Sequence, residues 1–306
     1  MDIKVLLAIF SLLAIIACNS AGDGDKKISD DIEIPDSIFD QGDKPLMISE
    51  EAMEDIIQNI SSPVEMAALL KATGVPFSKR YLSTSENIDD LNTNFKRAIN
   101  LGIFGADLGY LNMYNKTGSV LDNMSAIKRL SEELNVGQFF DFTTIKRLAT
   151  NNENLDSLMY ISVASFNNMD DYLRKHNRSN LSSLIVFGVW IEGMYIATQV
   201  LKEAPDNPEV VERIGEQKLI LNDLLLILKN YKSDKDFYNL IQDVEAIKKE
   251  FDGVRITYEM GEPEAIEIDG MLMIVQNETS NVEVSPEHLG NIIDVVESVR
   301  NKIINL

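Results

Sequence analysis

Apolar residues recur every three or four positions through most of this chain, and residues that end helices fall between the runs. Ser49-Glu50-Glu51 opens a helix predicted over 49–60, with acids in the first turn, where the helix dipole favours them. Ser62-Pro63-Val64-Glu65 has the form of a capping box with proline at the first helical position, and Thr73-Gly74-Val75-Pro76 stops that helix. Further helices are predicted over 87–115, closed by Thr117-Gly118, then over 120–134, 138–148 and 154–175. In the last of these, Leu155, Met159, Phe166, Met169 and Leu173 form one apolar stripe.

The stretch over 180–203 is different, because Leu184-Ile185-Val186-Phe187-Gly188-Val189-Trp190-Ile191 is apolar on every side. Such a helix is either central in a core or spans a membrane. Glu192 would sit near the middle of a span, at a cost of about 2.5–3.5 kcal/mol. Polar Ser182, Ser183, Thr198 and Gln199 also flank the apolar run, so a buried central helix is expected. Ala204-Pro205-Asp206-Asn207-Pro208 breaks it. Two amphipathic helices follow, one carrying Val211, Ile214, Leu221, Leu224, Leu225 and Leu228, the other capped by Ser233 and carrying Phe237 to Phe251.

Only near the C-terminus does the period change. Val254-Arg255-Ile256-Thr257-Tyr258 and the stretch over 265–275 predict short strands, with Asp269-Gly270 as the turn. A lone hairpin is marginal and must lie on the helices. Ser285-Pro286-Glu287 starts a last helix with Leu289, Ile292, Ile293, Val296 and Ile303 inward. The expected fold is therefore mainly all-α: a multi-helix antiparallel bundle over 46–306 with a small β-hairpin near the C-terminus.

The first residues, MDIKVLLAIFSLLAIIAC, combine Lys4, an apolar stretch over 5–17 and small residues before a cut, the three parts of an export signal. The stretch is shorter than the roughly 20 residues that a membrane-spanning helix needs. Its end, Ile15-Ile16-Ala17-Cys18, resembles the lipobox of bacterial lipoproteins. The resemblance implies cleavage after Ala17 and a diacylglycerol on the Cys18 thiol, which becomes the acylated first residue. Asp2 departs from the usual basic start. Cys18 is the only cysteine, so the mature domain has no disulfide.

Residues 18–45 are rich in Asp, Gly and Ser and read as a flexible tether. Asp23, Asp25, Asp30, Asp31 and Glu33 resemble the acidic export signals that follow the lipidated cysteine in surface lipoproteins. The expected location is the outer membrane, by lipid anchor, on its periplasmic or external side.

The net charge is −21, and removing the signal leaves it unchanged, since Asp2 and Lys4 leave together. A surface of that sign repels phosphate backbones, so nucleic acid is not an expected partner. The mature chain has only His176 and His288, far apart and in polar stretches, so neither a histidine metal site nor a catalytic triad is expected, and no cofactor is. Gly102, Gly105 and Gly109 lie inside a helix, where glycine costs up to about 1 kcal/mol relative to alanine. Close approach of a neighbouring helix is the expected reason.

The residues most suggestive of chemistry are Asp107 and Glu192, one in each of the two glycine-bearing apolar helices, with Tyr110, Trp190 and Tyr195 as nearby aromatics. If the helices pack together, two carboxylates share one site and burial raises at least one pKa. Such a pair does acid–base work or binds a cation; the competing expectation is that each acid is hydrogen-bonded into the core. Two functions follow. The first is a non-enzymatic envelope lipoprotein, a helical binding or adaptor module for an envelope protein or small molecule; the second is an enzyme or cation-binding protein centred on the acid pair.

Overall fold

The computed structural model describes residues 63–86, 88–149, 155–268 and 271–305. The expected signal, Cys18, the tether, the helix over 49–60 and the turn at Asp269-Gly270 lie outside them. The described chain is mainly helical: α1 (Pro63–Ala72), α2 (Asn94–Met113), α3 (Thr117–Glu133), α4 (Phe142–Ala149), α5 (Leu155–Lys175), α6 (Ser179–Glu203), α7 (Pro208–Lys229), α8 (Lys235–Phe251) and α9 (Pro286–Ile304), with β1 (Arg255–Ile268) and β2 (Met271–Glu283) before the last helix.

Local chemistry sets the boundaries, and in four places it moves them from the expected positions. The α2 helix starts at Asn94, later than expected, because the Thr93 hydroxyl accepts from Lys96 N at 3.2 Å; before it, 88–90 form a single 3-10 turn. Asn115, in the left-handed region at φ 57°, makes the turn between α2 and α3, so Thr117-Gly118 begins the second helix instead of closing the first. A 3-10 turn over Gly137–Phe139 precedes α4, which follows Asp141, whose carboxylate accepts from Thr144 N at 3.0 Å. The cap of α8 is Asp234 instead of Ser233, with its Oδ1 accepting from Asp236 N and Phe237 N. Replacing Asp234 by alanine should cost about 1 kcal/mol, read as a lower urea midpoint at unchanged m-value. An unshifted midpoint would mean the cap contributes nothing.

The α6 helix is the centre of the core. Of its most apolar 18-residue window, 83% is buried, which is how an all-apolar helix satisfies itself inside a protein. Its most extensive partner is α2, and α7, α9, α1 and α5 surround it. Gly102 and Gly188 make the α2–α6 crossing: a Cβ on Gly102 would lie 2.1 Å from Ile185 O, and one on Gly188 2.1 Å from Ile99 O. The contacts then advance together, Ile99 by Gly188, Gly105 by Val189 and Asp107 by Glu192. The two helices thus run in the same sense, which the three helices between them in sequence allow.

The strands are longer than expected. They pair from Arg255 opposite Glu283 to Ile268 opposite Met271, with one irregularity between Met260 and Pro263. At roughly 3.4 Å per residue the ribbon is about 40 Å long. It meets the helices at α7, where Gly215 leaves room for Val282; a Cβ there would lie 2.2 Å from Val282 Cγ1.

Candidate functional site

The α2–α6 crossing fixes where the two acids go. Asp107 follows Gly102 by five residues and Glu192 follows Gly188 by four, so each carboxyl emerges just over one turn beyond the contact. Both residues are completely buried. Glu192 is the charged neighbour that acts most strongly to raise the Asp107 carboxyl.

A third charge, absent from the sequence-based expectation, closes the site. Arg300 of α9 donates through Nε to Glu192 Oε2 at 2.8 Å and through Nη2 to Oε1 at 2.6 Å, a two-point contact that holds the carboxylate plane. Its guanidinium lies over the Tyr195 ring, 4.3 Å from the centroid. The same Nη2 donates to Ser83 Oγ at 2.8 Å. Ser83, in the loop before α2, then turns its backbone N–H to Asp107 Oδ2 at 3.0 Å. One cluster thereby joins a loop, α2, α6 and α9. Asp107 Oδ1 is buried and receives no hydrogen bond.

Burial and the neighbouring Glu192 push the Asp107 carboxyl well above the usual carboxylate range, against the opposing pull of the Ser83 amide and Arg300. Burial also raises Tyr195, while Arg300 acts to lower it. A second row of polar contacts extends the α6–α9 junction: Glu297 accepts from Gln199 Nε2 at 3.2 Å and pairs with Lys202. Glu192, Tyr195, Gln199 and Lys202 follow at helical spacing, so they form one polar stripe facing α9.

Two of the five predicted site residues point elsewhere. Trp190 donates its indole N–H to Gln217 Oε1 of α7 at 3.1 Å, because two residues along a helix turn a side chain about 200° away from Glu192. Tyr110 accepts from Ser78 N at 3.1 Å, stacks on Phe77 and packs at a tilt against Tyr114; burial pushes its hydroxyl up to about 12. The structure therefore brings together Asp107, Glu192 and Tyr195, and adds Arg300 and Ser83. His176 is exposed as expected, but His288 is partly buried against Gly253.

Chemically, the cluster is a sealed ionic network. Arg300 fills the place beside Glu192 that a bound cation would need, and no solvent reaches either acid. Among the described residues, no three His, Cys, Asp or Glu side chains converge. A second buried pair, Asp170 with Arg174 in α5, receives the Ser182 hydroxyl and borders a cavity of about 10 Å³, room for roughly one water molecule. Asp170 and Arg174 stand four apart in a helix, a spacing that announces such a pair in the sequence. No protein-family model, no curated protein and no solved structure matches this chain.

Proposed function

We propose that this chain is a bacterial envelope lipoprotein, held at the outer membrane by a diacylated Cys18, whose helical domain acts as a non-enzymatic binding or adaptor module for an envelope protein or small molecule. The observation that carries the reading is the single cysteine at the end of an apolar export signal, Ile15-Ile16-Ala17-Cys18, followed by 27 residues of acidic tether. Two or more acyl chains anchor stably, since each buried methylene contributes roughly 0.8 kcal/mol. The burial of α6 supports a folded domain outside the bilayer, because its apolar surface is already covered by other helices.

The buried ionic network favours a module over an enzyme. A substrate would have to displace Arg300 from Glu192 before meeting either acid, leaving a buried charge unpaired. The high negative charge suits a basic or neutral partner and disfavours nucleic acid.

Replacing Cys18 by alanine should move the chain from the detergent phase to the aqueous phase in a cloud-point partition and abolish incorporation of a labelled fatty acid. Retention of C18A in the detergent phase would defeat the anchor. Protease treatment of intact cells then separates the two faces of the outer membrane: digestion of the domain places it outside, and protection places it in the periplasm. Crosslinking on intact envelopes should return one partner whose yield falls when the domain is unfolded; repeated return of none would count against an adaptor.

A further inference from the structure

We propose that the β1–β2 ribbon is a self-association arm, and that the outer edge of β2 over 271–277 pairs antiparallel with the same edge of a second copy of this chain. The described residues form one sheet of two strands, so each strand keeps an edge with no strand beside it. An unpaired edge offers a row of backbone donors and acceptors to any extended segment, and proteins guard such edges with charge and proline.

The two edges differ. β1 carries Glu259, Glu262, Glu264 and Glu267, and Pro263 has no N–H to give. β2 begins Met271-Leu272-Met273-Ile274-Val275-Gln276-Asn277, with neither charge nor proline. A run of that composition is the signature of a segment that pairs strongly once its edge is open. One edge of the ribbon is guarded and the other is not.

Register selects the occupant. In an antiparallel pair related by a two-fold axis a strand meets itself, so a charge near the axis faces its own copy, and like charges opposite one another are destabilising. With the axis at Ile274, Met271 comes opposite Asn277 of the second copy, Leu272 opposite Gln276 and Met273 opposite Val275. Glu278 then falls past the end of the second copy's β2, which starts at Met271. Every pair in the overlap is uncharged. The same operation on β1 would crowd Glu262, Glu264 and Glu267 of both copies into one short overlap.

Charge and length support the same choice. A chain of net charge −21 repels its own copy wherever acidic surfaces approach. The ribbon meets the helices at α7, where Gly215 leaves room for Val282. Val282 stands eight residues from Ile274, so pairing at Ile274 sets the two ribbon bases about 54 Å apart along the strands. The Debye length at physiological salt is about 8 Å. Repulsion between the bases is screened, and the edges that meet carry no charge. Pairing also answers the weakness of a lone hairpin, because a four-stranded sheet in the order β1-β2-β2-β1 puts both guarded edges outside and both unguarded ones inside.

The arm is independent of the anchor, and its test is sedimentation of the full chain in density-matched detergent over a range of protein concentration. The wild type should pass from monomer to dimer as concentration rises. Ile274→Glu and Ile274→Lys each set like charges across the axis, and each should raise the dimer dissociation constant at least tenfold. Mixed in equal amounts, the two variants should recover a dimer with one copy of each, because Glu then faces Lys. In the wild type, alternate amides over 271–277 should exchange at least tenfold slower in the dimeric range than in the monomeric range, while the outward amides of β1 stay unchanged. A wild type that remains monomeric, its edge left open or taken by a strand of another protein, would overturn the arm. So would I274E or I274K dimers as tight as the wild type, a mixture that stays monomeric, or exchange over 271–277 that is indifferent to concentration.

Discussion

Arg300→Met should destabilise the folded chain by about 3–5 kcal/mol near neutral pH, a large share of the stability of an ordinary domain. Methionine keeps most of the arginine volume, so the loss is electrostatic and not a cavity. Without the guanidinium, Glu192 is buried with no cation, Ser83 Oγ loses its donor, and Tyr195 loses the charge above its ring. At acid pH, where the carboxyls carry protons, the loss should shrink. The triple change Arg300→Met, Glu192→Met, Asp107→Asn should recover most of it, because a buried ion pair replaced by apolar groups of similar volume is often neutral. Urea unfolding of the three proteins at two pH values is the measurement. A loss below about 1 kcal/mol for R300M would mean that water enters the site and screens it, contrary to the complete burial of the two acids.

Much of this network was legible in the chain, and the rest has identifiable reasons for escaping. Asp107 and Glu192 stood out because an acid inside an apolar helix must find a partner, and the glycines beside them marked the contact that brings them together. Arg300 left a signal as well: it falls four residues after Val296 and three before Ile303, on the stripe that buries Ile292, Val296 and Ile303. A charge at a core position of an amphipathic helix calls for a countercharge as strongly as Glu192 does. Ser83 left none, since a loop serine has no period to betray its direction. The aromatics near the acids were sorted by helical angle and not by distance in sequence: Tyr195, three residues from Glu192, shares its face, and Trp190, two residues away, does not. The ribbon ran longer than its apolar segments because backbone pairing resumes at Pro263 after the irregularity at 261–262 and takes in the polar stretch over 276–281, where the apolar–polar alternation of the sequence is lost. Helix starts moved where a later side-chain oxygen made the better cap, as Thr93, six residues past the expected start, and Asp234, one residue past the expected cap, did.

The α2–α6 crossing that sets up the cluster should be the least tolerant backbone contact in the domain. Gly188→Ala places a Cβ 2.1 Å from Ile99 O and 3.2 Å from Gly102 Cα, and both are helix backbone that no rotamer change can clear. Gly102→Ala meets Ile185 O at 2.1 Å and Val189 N at 2.8 Å. The helices must separate by more than 1 Å to reach ordinary contact, losing packing along their whole shared face, so each change should cost about 3 kcal/mol, the upper end of overpacking. Together they should cost less than the sum, because one separation relieves both clashes. Gly193→Ala is the control: it lies in the same helix with nothing within 4 Å of its added Cβ, and helix propensity alone should stabilise the chain by up to about 1 kcal/mol. Urea unfolding followed by the fluorescence of Trp190, the single tryptophan, reads the wild type and the four variants. If G188A were as stable as G193A, the two helices would not meet at these glycines, and neither the acid pair nor its arginine would be held where the cluster requires them.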